Sequence, residues 1–350
     1  MKYLVKFRPL EPYAFGTDQS FKYKGVSNMA KETYFVRSKK LPEQTTILGA
    51  LRYLFLQNKG LLRTDFNYTQ EERMQMNALI GAESFSFERK SKQEFGVLHR
   101  ISPVFLIDTD NHPLVKNPFH NTSSEAKYQP MEIEEKEYHT SAGILKLPAK
   151  GEYHAKKGYA GGYYNLSNGK IIPDDKIFDS KIFTGNRKNS EEQKDVDGYF
   201  KREVYTLNDH YQFAVYVYAT YMPEKGIVFM GQKKSTFLVT AEETKDDNLE
   251  EQVQNAFREG PEWFYALSDL VVTEAPVYNS FCIVEQKKIQ NLETVYSEKN
   301  HTKRLRKSPK QYNLIQSGSV FFNHCPINTD NENHKQIGYN YIVKIGGKQS

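Results

Sequence analysis

REVYTLNDHYQFAVYVYATY, from Arg202 to Tyr221, is the stretch that sets the fold class of this chain. Two aromatic-rich runs, Arg202 to Leu207 and Tyr211 to Tyr221, flank Asn208-Asp209, residues that favour turns. Together they read as a β-hairpin. Outward toward the C-terminus, Ile227 to Met230 and Thr236 to Thr240 predict a second hairpin around Gly231-Gln232-Lys233-Lys234. Asp247 to Leu270 predicts one or two helices, broken near Gly260-Pro261. Val271-Val272, Ser280 to Val284, Ser319 to Phe322 and Tyr339 to Ile345 read as further strands.

Outward toward the N-terminus, Tyr3 to Phe7 alternates and predicts a first strand ending at Pro9. Ile47, Leu48, Leu51, Leu54 and Phe55 form the apolar stripe of a helix that Thr45 or Thr46 can cap. Gly49 lies inside that helix, where it costs roughly 1 kcal/mol against Ala; a close backbone approach would account for it. A second helix is expected from Gln70 to Ile80. Ile101 to Ile107 reads as one apolar strand, followed by a turn at Asp108-Thr109-Asp110-Asn111. Residues 108–198, rich in Gly, Pro, Asn and Lys, predict loops and short strands, with Asn186 to Gly198 as an exposed, flexible element. Tyr159 to Tyr164, with Gly161-Gly162, reads as a loop with exposed aromatics. The order of elements predicts an α+β protein: two ferredoxin-like (RRM-like) domains with antiparallel sheets and long inserted loops, residues 1–198 and 199–350. Such sheets leave a face that RNA can use.

Composition narrows the partners. The 350 residues are 38% hydrophobic and 26% charged, the balance of a globular chain with room for two cores. With 48 Lys+Arg against 43 Asp+Glu, the net charge of +5 is too mild for wrapping duplex DNA and suits a short RNA contact or a site shared within an assembly. The 24 Tyr and 22 Phe offer flat faces to unpaired bases. Cys282 and Cys325 form no CxxC pair, so neither a zinc site nor any other cofactor is expected, and two reduced thiols point to the cytoplasm. No apolar run has the length of a signal peptide or a membrane span.

The segments Arg8-Pro9-Leu10-Glu11-Pro12-Tyr13-Ala14-Phe15-Gly16, Gly49-Ala50-Leu51-Arg52, Ile101 to Leu106 followed by Asn117-Pro118-Phe119, Gly185 to Lys188 with Tyr199 to Tyr205, Phe229 to Ser235, Ser317 to Phe322 and Ile337 to Tyr341 run along nearly the whole chain. In that order they resemble the RAMP superfamily of CRISPR proteins and, more narrowly, the handle-binding subunit of the type III-B Cmr complex. The resemblance is, in turn, to the family's first strand and the loop after it, the end of its first helix, a strand and a proline-containing turn, and a thumb and the strand behind it. It continues through a glycine hairpin, with Lys233 and Lys234 in place of an acidic–Arg pair, to a late strand and a terminal glycine loop. The resemblance implies a non-catalytic subunit that holds the 5′ handle of the crRNA. It also implies a bridge between the large polymerase-like CRISPR subunit and a backbone RAMP subunit, with target RNA met only indirectly. The equivalent subunit of a type III-A complex is an alternative within the class.

The candidate RNA-binding residues follow from charge and glycine placement. Lys303, Arg304, Arg306 and Lys307 lie in a span free of acids from Glu298 to Asp330 and read as a phosphate-tracking loop; the bland alternative is a solvated loop. Arg187, Lys188, Lys201 and Arg202 flank the thumb, where Arg can contact phosphate or stack on a base. Gly49 and Arg52 would bring the first helix close to an RNA backbone, unless they serve only packing. Lys233, Lys234 and Ser235 could cradle a phosphate or simply close a hairpin. Gly318, Ser319, Gly338 and Tyr339 mark strand entries where RNA could lie close, and Arg8 belongs to the first matching segment. The nine histidines form no HxxxH or HD pair. A guide-processing RAMP endoribonuclease, which would need an acid–base pair at a ribose, is therefore the rival, with His139 or His154 near Lys156 as its nominees. A pure protein scaffold is the third reading.

Overall fold

A computed structural model describes residues 1–23, 33–63, 68–123, 127–131, 133, 135–141, 143–148, 161–186, 199–245, 248–272, 281–297, 302–325 and 327–347. The chain opens with β1 (Lys2–Pro9), β2 (Phe15–Tyr23), β3 (Thr33–Lys39) and the helices α1 (Gln44–Asn58) and α2 (Gln70–Ile80). Short strands follow: β4 (Leu98–Ile101), β5 (Phe105–Asp108), β6 (Pro113–Lys116), β7 (Glu135–Thr140), β8 (Gly143–Pro148), β9 (Tyr163–Asn165) and β10 (Ile171–Ile172). Next come α3 (Asp174–Ile177), β11 (Phe178–Asn186), β12 (Tyr199–Leu207), β13 (Tyr211–Ala219), β14 (Lys225–Met230) and β15 (Ser235–Glu243). The last third holds α4 (Leu249–Ala256), β16 (Trp263–Ala266), β17 (Leu270–Val272), β18 (Cys282–Ile283) and β19 (Gln286–Ser297). It ends with β20 (Thr302–Ile315), β21 (Val320–Phe322), α5 (Glu332–Gln336) and β22 (Ile342–Ile345).

Nine strands make one antiparallel sheet in the order β10-β9-β6-β5-β13-β1-β15-β14, with β4 also on β13. On one face Val5, Phe7, Phe213, Val215 and Val217 meet the α1 stripe of Ile47, Leu48, Leu51, Leu54 and Phe55, all buried as the periodicity predicts. Each such side chain contributes roughly 1.5–3 kcal/mol by leaving water. On the other face Leu4, Phe105, Ala214 and Tyr216 meet Trp263, Tyr265 and Val343 of a second sheet, ordered β18-β21-β16-β22. The result is an α+β protein of mostly antiparallel sheets and few helices. β1 lies between β13 and β15, so the main sheet draws strands from both sides of residue 198.

Several expectations change. Arg202 to Tyr221 is two strands but no hairpin: β12 pairs with β11 and β3, while β13 pairs with β1, β4 and β5. Neither Asn208 nor Asp209 takes the left-handed conformation of a two-residue hairpin turn, and both edges of β13 are occupied. The second hairpin does form, with Met230 opposite Ser235 and Lys233 and Lys234 at φ 58° and 57°. Ile101 to Ile107 splits into β4 and β5, because the Ser102 Oγ takes the Tyr216 N–H (2.8 Å) and Pro103 has no N–H to give a ladder. Of the expected helical stretch Asp247 to Leu270, the described residues 248–269 hold one helix and one strand: α4, then β16, with Gly260 turning at φ 86° between them. The α1 cap is Glu43, not a threonine, whereas α2 spans the expected residues under a Thr69–Glu72 capping box. Tyr163 and Tyr164 are buried in β9 instead of exposed in a loop.

The basic stretch at 303–307 is strand and not loop. It lies in β20, with Tyr296, Val295, Thr294, Glu293 and Leu292 of β19 opposite residues 303 to 307 in turn. The alternating β19 partner, invisible from the basic run alone, is what turns it into a ladder. A separate sheet, β11-β12-β3-β2, forms an arm in which β12 runs parallel to β3. Its edge strand β11 exposes Ile182 and Phe183. Residues 187–198 of the thumb lie outside the described residues. The Asp108 turn forms as read: its Oδ1 accepts the N–H groups of Asp110 (3.0 Å) and His112 (2.8 Å).

Candidate nucleic-acid interface

Helical spacing puts Thr45, Gly49 and Arg52 on one face of α1. That face, the β14–β15 turn, Gly16 at the start of β2 and the base of β19 enclose a groove of 620 Å³. Gly49 is open, since a Cβ there would meet nothing within 4 Å. Arg52 donates from Nη2 to the Glu83 carbonyl (2.9 Å) and lies 5.2 Å over the Phe95 ring. Its Nε is buried without a partner, and no carboxylate pairs with it among the described residues. Burial lowers its pKa to about 10. A half-buried guanidinium without a carboxylate partner can accept an anion, because buried charge is stabilised by pairing. Lys234 adds a second cation on the opposite wall, held in the left-handed region at φ 57°.

A second cleft, of 480 Å³, adjoins the groove at Lys39, which lines both. Here the cations are neutralised. Glu43 pairs with Lys39 (2.7 Å) and Lys287 (2.8 Å), and Lys287 also pairs with Asp269 (2.5 Å). Burial alone would raise the Glu43 carboxyl, but Lys287 and Lys39 outweigh it and hold it down to about 2. Burial would likewise depress Lys287, yet Asp269 and Glu43 raise it. Asp174 joins Lys40 (2.7 Å) and Lys116 (3.5 Å) across the cleft. Burial lowers Lys116, partly offset by Asp174. The Tyr339 hydroxyl donates to Glu43 (3.2 Å) from a fully buried ring. This junction ties the start of α1 to β19 and to the Ser268-Asp269 turn.

Among the residues singled out by sequence, the groove brings together Gly49, Arg52 and Lys234. Lys233 sits in the same turn, and Ser235 is buried with its hydroxyl toward the Pro12 carbonyl (3.4 Å). Gly318 lets Phe119 approach: a Cβ would lie 2.5 Å from its ring. Ser319 is buried and its Oγ accepts the Glu285 N–H (3.2 Å). Gly338 lies beneath the first turn of α1, where a Cβ would come 2.4 Å from the Ser102 carbonyl. Gly318, Ser319, Gly338 and Tyr339 thus serve contacts within the fold, whatever else they do. Arg8 lies apart, exposed and 3.7 Å from Asp209. Lys201 and Arg202 lie on β12 of the arm; Arg187 and Lys188 are outside the described residues. Lys303, Arg304, Arg306 and Lys307 occupy the far part of the hairpin whose base, through Ile289 and Asn291, lines the groove. Sequence reasoning missed Lys39, Lys40, Lys116 and Lys287. The run Arg37-Ser38-Lys39-Lys40 is a usable signal for the first two and the pair Lys287-Lys288 a weaker one for the last, whereas Lys116 is a single lysine on a strand and gives none.

The described histidines sit elsewhere. His120 is buried, stacked on Trp263 at 4.5 Å, and burial lowers it to about 3. His334 is also buried, and its Nε2 meets the Phe87 carbonyl (2.9 Å). His112 pairs with Asp108 (3.2 Å), and His139 is on β7. His154 lies outside the described residues. No helix among the described residues is long and apolar enough to cross a membrane.

Comparison with known proteins adds three findings. Residues 5–263 match the family described as CRISPR-associated protein (Cas_Cmr3). No curated protein matches the chain. Among solved structures, a chain of the type III-B Cmr-beta complex bound to cognate target RNA and AMPPnP is similar at 13% identity and TM-score 0.48, covering 98% of this chain and 96% of its own. A chain of Cmr-beta bound to cognate target RNA gives 12% identity and TM-score 0.49 over 99% and 98%. A chain of the Csm3–Csm4 subcomplex of the type III-A interference complex gives 11% and 0.36 over 98% and 99%.

Proposed function

The chain belongs to the CRISPR-associated Cmr3 family, and from that premise we propose that it is a non-catalytic subunit of a type III-B effector complex in the cytoplasm that grips the 5′ handle of the crRNA. The single observation that carries the site is Arg52: a cation without a carboxylate, facing a groove beside a bare glycine. A phosphodiester supplies the missing anion and can lie close over Gly49, with Lys234 on the opposite wall. The basic far half of β20 extends the positive track beyond the groove, and the arm with Lys201 and Arg202 would hold a displaced nucleotide. Bridging to a large polymerase-like subunit and a backbone RAMP subunit falls to the remaining surfaces. The two-unit ferredoxin-like organisation belongs to the same reading, with the division better placed after β15 than at residue 198, since β13 to β15 complete the sheet begun by β1.

Binding of a fluorescent handle oligonucleotide, measured by anisotropy against salt, tests this. The wild-type chain is expected to bind with a steep salt dependence that Arg52→Ala and Lys234→Ala make shallower. Salt-independent binding, or wild-type affinity in both variants, would remove the groove from the reading. Incubation with intact repeat RNA tests the endoribonuclease rival: no histidine lines the groove among the described residues, and specific cleavage that a His139→Ala or His154→Ala variant abolishes would replace binding with catalysis.

A further inference from the structure

The face of the main sheet turned away from α1 carries a row of side chains across three strands. Lys2 of β1 stands opposite Tyr218 of β13, and Tyr218 opposite Arg100 of β4. Directly opposed residues share a face. The Lys2 Nζ lies 5.5 Å from the Tyr218 ring centroid and the Arg100 Cζ 5.7 Å from it. Arg100 is also 5.2 Å from the Tyr341 ring, its Nε donates to the Tyr341 hydroxyl (2.6 Å), and its Nη2 is 3.7 Å from Glu250. The second sheet and α4 stop short of this row and leave a pocket of 410 Å³ over it. Two cations and three tyrosines, Tyr216, Tyr218 and Tyr341, line the pocket, against one carboxylate, Glu250.

We propose that this pocket takes a single unpaired nucleotide, with its base on the Tyr218 ring and its phosphate between Lys2 and Arg100. The volume is within the range of small-ligand sites. An aromatic ring already shared by two cations presents the π-face that a base stacks on, and stacking is tolerant of base identity. Lys2 carries its ammonium on a flexible four-carbon stem, beside the ring, within reach of a phosphate laid over it. Arg100 is pre-set as a fork by Tyr341 and Glu250, so it loses little freedom on binding an anion. An acidic peptide would satisfy the cations but has nothing to lay on the ring. The pocket and the Arg52 groove lie on opposite faces of one sheet, so this inference does not depend on the handle reading. The nucleotide can come from a strand of RNA or from a free mononucleotide.

The test is photocrosslinking of the full-length chain with a hexauridylate carrying 4-thiouridine, with adducts mapped by peptide mass spectrometry. Adducts are expected in residues 211–219 or 98–101. They should fall about tenfold in Tyr218→Leu, fall several-fold in Lys2→Gln, persist in Tyr218→Phe, and be unchanged in Arg52→Ala. Loss of the adduct when UMP is present before irradiation assigns the site to free nucleotides; loss only with unlabelled hexauridylate present before irradiation assigns it to RNA, and both uphold the nucleotide site. Adducts confined to α1 and residues 286–315 overturn the pocket and leave the groove standing. Adducts in 211–219 that are unchanged in Lys2→Gln also overturn it, and that surface variant decides even if Tyr218→Leu fails to fold.

Discussion

The start and the middle of α1 handle positive charge in opposite ways. At its start, Lys39 and Lys287 converge on Glu43, and Asp269 completes the set, so every buried charge has a partner. Two turns on, Arg52 is half buried with a carbonyl and a ring for company and, among the described residues, no carboxylate. The difference separates structure from recognition better than counting lysines does. Removing a member of a neutralised cluster damages the fold, whereas an uncompensated cation is most stable when something anionic arrives from outside.

The largest expected effect sharpens the first half of that contrast. Lys287→Ala leaves Asp269 uncompensated and strips Glu43 of one of its two lysines, and should cost about 3 kcal/mol in urea unfolding with an unchanged m-value. Acid should probe the same cluster. Glu43 has a folded pKa of about 2, below its unfolded value of 4.5. The stabilisation is therefore fully present above pH 4.5 and is lost as pH falls toward 2, a change of a few kcal/mol, readable as a falling Tm that Glu43→Gln flattens. Arg52→Ala should do the reverse of Lys287→Ala: about 2 kcal/mol lost from handle binding, a much smaller loss of stability, and only partial rescue by Lys. Gly49→Ala divides the two roles most finely. Nothing fills the space above it, so the apo protein should gain about 0.5–1 kcal/mol from helix propensity while handle affinity falls; unchanged affinity would mean that no backbone lies over that glycine. The smallest effect is Thr69→Ala, about 1 kcal/mol on α2. It should be seen as faster hydrogen exchange in residues 70–80 with handle binding untouched, since α2 buries none of its residues.

Where local pattern decides structure, the sequence was readable. The α1 stripe, the 70–80 helix and the 225–240 hairpin depend on contacts within a few residues. Arg202 to Tyr221 reads as a hairpin and is not one, because strand pairing is non-local: β13 is claimed by β1, β4 and β5, none of which its own residues announce. The site follows the same division. Gly49 and Arg52 are legible as a small and a basic residue inside an expected helix, and Lys234 as a basic residue in an expected turn. That Arg52 meets no carboxylate among the described residues while Lys287 meets two, Glu43 and Asp269, depends in part on an acid 244 residues away, and a composition scan treats the two alike. The glycines before the late strands were legible as close approaches, but what approaches them includes Phe119 and the Ser102 carbonyl.

The position of β1 has a consequence for how the chain is made. Its two neighbours, β13 and β15, end at Ala219 and Glu243, so β1 leaves the ribosome well before either partner and must wait for its ladder. During that wait Val5 and Phe7 are unshielded, and loop-closure entropy makes their eventual pairing slow. A nascent chain of this protein should therefore lean on a holdase until residue 243 has cleared the exit tunnel, and stalled translation before that point should yield aggregates, not a folded N-terminal half.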